Sequence, residues 1–128
     1  DDLLYAWSAS VGPYIWNEAK TIYHYHIWKV QLATSMDKMY SYYLLRAVTN
    51  QKMSDMHGST MMHITMGDMN KTKIPIPLSE QQQIATYLDT KCSKIDHIIA
   101  TQKKKIAYLQ ELKQSLITNV VTGKIKVS

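Results

Sequence analysis

IPIPLSEQQQIATYLDTKCSKIDHIIATQKKKIAYLQELKQSLITNVVTGKI, residues 74–125, is the stretch on which the architecture turns. Pro75 and Pro77 each disfavour a helical conformation at the residue before them, so 74–77 is extended. Ser79 with Gln82 three residues on has the pattern of a capping box, in which the hydroxyl accepts from a first-turn N–H and the amide reaches back. Glu80 falls in the first turn, where the macrodipole favours negative charge. No Gly or Pro then appears until Gly123, a natural C-terminal cap. The spacing predicts one helix over 79–122, roughly 60 Å long at 1.5 Å per residue. Leu88, Cys92, Ile95, Ile99, Gln102, Ile106, Leu109, Lys113, Leu116 and Val120 are spaced alternately four and three apart, as a coiled-coil seam requires. Ile98 and Leu112 widen the stripe. The seventy-odd residues before the helix are too few to cover a face of that length, so the expected cover is another helix.

Outward from this helix the composition changes. Ten of the twelve aromatic residues lie in the first 43 positions, and all eight Met lie between residues 36 and 69. The shift to Lys, Gln, Ile and Leu after Pro77 marks a boundary near 76–79, dividing the chain into a small globular part over 1–78, the helix over 79–122 and a tail over 123–128. The net charge of +5 points towards an acidic partner, but residues 1–79 carry seven Lys or Arg against six Asp or Glu, so the globular part is nearly neutral. The single cysteine, Cys92, excludes an intrachain disulfide, and no apolar run approaches the roughly 20 residues of a membrane-spanning helix. With no secretory pattern at the start, a cytoplasmic protein with no membrane association is expected.

In the globular part, residues 3–8 and 26–31 read as short strands of one sheet, separated by the turn-prone Gly12, Pro13 and Asn17. From Asp37 to Asn50 the positions Tyr40, Tyr43, Leu44, Ala47 and Val48 define a one-faced helix, with Ser35 and Asp37 as candidate N-caps. Between Asp55 and Lys73 the pattern breaks around Gly58 and Gly67, predicting a loop, a short strand through residues 63–65 and one helical turn near Asp68. The class is α+β, a small mixed part followed by a long C-terminal coiled-coil helix.

At these residues the sequence resembles a known family. Residues 74–125, with the LSEQQ start, the YLD segment, the KID step and the VTGKI end in that order, are similar to the helical region that closes the specificity subunits of type I restriction-modification systems. The family often has two adjacent prolines before LSEQ, whereas Ile76 here separates them. WSASVGPYIWN at 7–17, HIWKV at 26–30, YSYYLLRAV at 40–48 and HGSTMMHITMGDM at 57–69 resemble the second half of its target-recognition domains. The resemblance implies a protein that performs no chemistry and needs no cofactor. Two recognition domains would read the halves of a split double-stranded DNA target, while paired antiparallel helices space them and dock the methyltransferase (modification) subunits, with the restriction subunit joining through the complex. This chain would supply at most one partial recognition domain, over 1–78, and one spacer helix. It would begin late relative to the family's domains.

Several residues are candidates for DNA contact. His57, Ser59, Thr60 and His63 flank Gly58, and such polar side chains can donate to base edges or phosphates. Alternatively Ser59, Thr60 and His63 hold the loop to the sheet. Ser8, Ser10 and Tyr14 around Gly12 form a second polar loop, with Lys20, Lys71 and Lys73 as phosphate partners. Trp7, Trp16 and Trp28 are read as core or platform rather than as base-stacking groups, and Lys103 to Lys105 as a solvated face. His24 and His26, alternate residues of an expected strand, would share a face, but no carboxylate or cysteine stands at ligand spacing, so no metal is expected. No nucleophile, base and orienter set and no glycine-rich phosphate loop appears. The seam predicts pairing with a second copy or another specificity chain. A competing reading is a truncated module that pairs through the helix without binding DNA.

Overall fold

The computed structural model describes residues 1–55 and 63–127, which fall into two compact units, Asp1–Leu88 and Asp89–Ser128. The first is built on a three-stranded antiparallel sheet of order β2-β1-β3, with β1 at Asp2–Ala6, β2 at Gly12–Trp16 and β3 at Ile27–Lys29. β1 is central, and its residues Leu3 to Ala6 are buried on both faces. The turn expected from Gly12 and Pro13 is instead the start of an edge strand. Proline cannot donate to a ladder and is tolerated at an edge, and Gly12 has φ +148°, a backbone conformation that side chains disfavour. Between these strands Ala9 has φ +63°, an uncommon left-handed conformation for a residue with a side chain.

Helix α1, Lys38–Asp55, runs five residues past the expected end at Asn50 because no Gly or Pro interrupts it. Asp37 caps it by accepting the Tyr40 N–H on Oδ1 at 2.8 Å. The buried stripe is turned from the expected one: Tyr40 and Val48 are buried, but Ser41 and Thr49 join them, while Ala47 is exposed. The cause is polar. The Thr49 hydroxyl donates to the Leu45 carbonyl at 2.7 Å, so its contact of 2.8 Å with the Tyr5 hydroxyl has the phenol as donor. Burial pushes the Tyr5 phenol above its ordinary pKa, which keeps that donor protonated.

The expected strand through 63–65 is a single bridge between His63 and Ser8, and Ile64, fully buried, donates its N–H to the Trp7 carbonyl. The helical turn near Asp68 is α2, Met66–Asn70. It carries a capping box that the periodicity did not reveal, Thr65 with Asp68.

The long helix α3 spans Gln81–Val121, 41 residues. Its start differs from the capping box at Ser79. The first backbone bond within the helix runs from the Ile84 N–H to the Glu80 carbonyl, so Glu80 occupies the cap position and residues 78–80 form a turn. The anchor is Gln81, 3% exposed, whose Oε1 accepts the Asp37 N–H at 2.7 Å and whose Nε2 donates to the Ser35 carbonyl at 3.0 Å. Both residues read as candidate caps of α1 are therefore bound by the first residue of α3. The Tyr40 hydroxyl adds a bond to the Pro75 carbonyl at 3.0 Å. At the far end Gly123, φ +75°, terminates the helix as expected, its N–H donating to Val120 while Ile125 donates to Asn119.

Candidate nucleic-acid interface

The aromatic-rich start of the chain builds a cluster at one end of the sheet. Trp7 stacks on Trp28 at 6.0 Å between ring centroids, Trp28 stacks on Tyr5 at 5.9 Å, and the Trp7 indole N–H donates to the Tyr25 carbonyl. Trp16 donates to the Ala19 carbonyl. All three indoles are half-buried and engaged within the fold. His24 and His26 meet at 4.5 Å, although not through strand alternation: both precede β3, and a turn in which the Ile27 N–H donates to the His24 carbonyl brings them together. Burial lowers the His26 pKa, and the neighbouring His24 and His63 lower it further. Among the described residues no group of three or more His, Cys, Asp or Glu is arranged to hold a metal.

Of the candidates for DNA contact, the structure joins His63 to Ser8, with Nδ1 3.0 Å from the hydroxyl, which is the arrangement of a loop held to the sheet. Tyr14 is about half exposed, but its hydroxyl donates to the Ser10 carbonyl at 2.9 Å; both residues line a groove of about 420 Å³ with Leu4, Ala6, Trp16 and Ile27. Lys20 is exposed in the connection between β2 and β3. His57, Ser59 and Thr60 lie outside the described residues.

Lys71 and Lys73 are exposed and share a concavity of about 240 Å³ with Lys52 of α1. Hydrogen bonds from the hydroxyl and N–H of Thr65 hold the Asp68 carboxyl below the usual carboxylate range, and the charges of Lys52 and Lys71 add to the shift. The expected helix ends at Asn50, two residues short of Lys52, so the local pattern gives no reason to group Lys52 with Lys71 and Lys73.

In α3 the seam positions Leu88, Cys92 and Val120 are half-buried. Ile95, Ile99, Gln102, Ile106, Leu109, Lys113 and Leu116 are exposed, with Ile106 and Leu116 each at 55%. An apolar stripe thus runs along the helix uncovered. Among the described residues no helix is long and apolar enough to cross a membrane.

Residues 1–119 match the family described as the type I restriction modification DNA specificity domain. The chain is similar to the specificity subunit of the type I restriction enzyme MjaVIII of Methanocaldococcus jannaschii, 29% identical over 124 residues, covering 95% of this chain and 28% of the relative. It is also similar to the EcoBI specificity subunit of Escherichia coli, 22% identical over 127 residues, covering 98% of this chain and 27% of that protein. The chain therefore spans little more than a quarter of the length of these relatives. No solved structure matches it. With a matched region that takes in the sheet unit and nearly all of α3, the chain belongs to the family of type I restriction modification DNA specificity domains.

Proposed function

We propose that this chain recognises double-stranded DNA as the non-catalytic specificity component of a cytoplasmic type I restriction-modification complex, positioning methyltransferase and restriction subunits on a bipartite target. In this reading residues 1–78 are part of a target-recognition domain, 79–122 are the spacer helix and 123–128 a tail. The observation that carries it is the span of the DNA-specificity match, residues 1–119, across both compact units. The uncovered stripe of α3 adds to it: apolar residues repeating at seam spacing on a helix of 41 residues suit a second long helix, from another copy or another specificity chain.

The test is a titration of this chain with duplex DNA over a range of salt, alone and mixed with a modification subunit. Contact with phosphates makes log K fall linearly with log salt, by about 0.9 for each phosphate neutralised. The expected result is salt-dependent binding that the modification subunit strengthens. Absence of DNA binding in both settings at low salt would overturn the recognition role and leave helix pairing as the chain's function.

A further inference from the structure

We infer that Lys52, Lys71 and Lys73 form a seat for one phosphate of a DNA backbone, an inference that rests on the DNA-recognition reading above. Three of the seven basic residues in the first 79 positions line one concavity of about 240 Å³, although the same stretch is nearly neutral overall. They come from separate places in the chain: Lys52 from the last turn of α1, Lys71 and Lys73 from the segment after α2. Convergence of this kind is a product of folding and does not reflect a local run of charge.

The surrounding groups favour an anion from outside. Among the described residues no ion pair within 4.0 Å joins Lys52, Lys71 or Lys73 to a carboxylate. Asp68 lies within the field of Lys52 and Lys71, yet both its carboxylate contacts are with Thr65. The Thr72 hydroxyl, which donates to the Asp68 carbonyl at 2.9 Å, keeps its acceptor side only. The side-chain donors of the described lining left to meet an anion are therefore the three ammonium groups and the Gln51 amide. Asp55 is the one carboxylate in the lining, leaving a net charge of +2 (three Lys less one Asp). That excess and the small volume suit a single phosphodiester group, which carries one negative charge and accepts hydrogen bonds without offering any. A base edge, which presents donors as well, is a poorer match to an array of ammonium groups. The seat would position the duplex without reading its sequence.

The experiment measures binding of the full chain to a mixed-sequence duplex of about three helical turns, as a function of salt. The variants are K52Q/K71Q/K73Q, the matching triple Arg variant and Asp55→Asn. Losing one phosphate contact should lower the salt slope by about 0.9 and weaken binding about eightfold near 0.1 M salt, equally for any sequence. The Arg variant should bind like wild type, and Asp55→Asn should bind more tightly. Unfolding curves matching wild type show that the change is at the seat. If wild type binds and the Gln variant keeps its slope, the seat is wrong while the DNA reading stands. If wild type binds no DNA, both fall. Inorganic phosphate that binds wild type but not the Gln variant, without displacing the duplex at constant ionic strength, would overturn the backbone assignment in favour of free phosphate.

Discussion

Replacing Gln81 by Met keeps the length and most of the volume of the side chain and removes its two hydrogen bonds. In the native fold Gln81 is 3% exposed and satisfies the Asp37 N–H at 2.7 Å and the Ser35 carbonyl at 3.0 Å. A buried backbone group stripped of its partner costs about 1–3 kcal/mol, and both contacts are only partly shielded, so the expected total is roughly 2–4 kcal/mol. The sheet unit extends to Leu88, and a domain of that size has a stability of about 4–13 kcal/mol. The loss is therefore a large fraction, equivalent to a fall in Tm of roughly 10–25 °C. Tryptophan fluorescence is the assay of choice, because Trp7, Trp16 and Trp28 all lie in this unit, whereas far-ultraviolet circular dichroism is dominated by α3. Ser79→Ala serves as the control: Glu80 holds the cap position, so this change should stay within about 0.5 kcal/mol. Gln81→Glu keeps an acceptor for Asp37 but turns a carboxylate towards the Ser35 carbonyl. Burial and that carbonyl would raise its pKa above the ordinary value of about 4.3, so its penalty should be full above the raised pKa and fade as pH falls towards the ordinary one. Equal melting of Gln81→Met and Ser79→Ala would refute the reasoning and assign the joint to Tyr40, Pro75 and the buried Ala85.

Ile99→Asp should abolish helix pairing with little effect on the isolated chain, since Ile99 is 46% exposed there; a buried unpaired carboxylate costs several kcal/mol, so sedimentation should show association at least about 100-fold weaker than wild type, which is expected to dimerise at tens of micromolar. A wild-type chain that stays monomeric with its helix intact would remove the pairing role. Ala9→Gly should stabilise the sheet unit by about 1 kcal/mol, because φ +63° strains alanine and suits glycine; a lower melting temperature would contradict this. His26 has a depressed pKa in the fold, so the unfolded chain binds its proton more readily. Stability should fall as pH drops from the ordinary histidine value of 6.5 to the lower folded one, then level off. His26→Gln should flatten that part of the profile of Tm against pH, and an unchanged profile would show that His26 does not govern it.

By itself the sequence determined the elements whose signals are local. A run without Gly or Pro, an apolar repeat of four and three, and a glycine after the last turn specify α3 and its end, because helix geometry depends on residues a few positions apart. Asp37 as a cap and the α+β order were legible for the same reason. The motifs in 7–17, 26–30, 40–48 and 74–125 carried the family, which needs only their order along the chain.

Tertiary structure decided what depends on partners distant in sequence. Gly12-Pro13 reads locally as a turn, and only its pairing as an edge strand with β1 makes it β2. Thr49 is buried, and Ala47 is not, because the Tyr5 hydroxyl, 44 positions away, needs an acceptor. Gln81 displaces Ser79 as the anchor of α3 because its amide reaches two backbone groups 44 and 46 residues earlier, a contact no capping pattern encodes. Lys52 joins Lys71 and Lys73 only once α1 and the segment after α2 lie side by side. Hydrogen bonds and charge act through space, so where these contacts form is set by the packed chain.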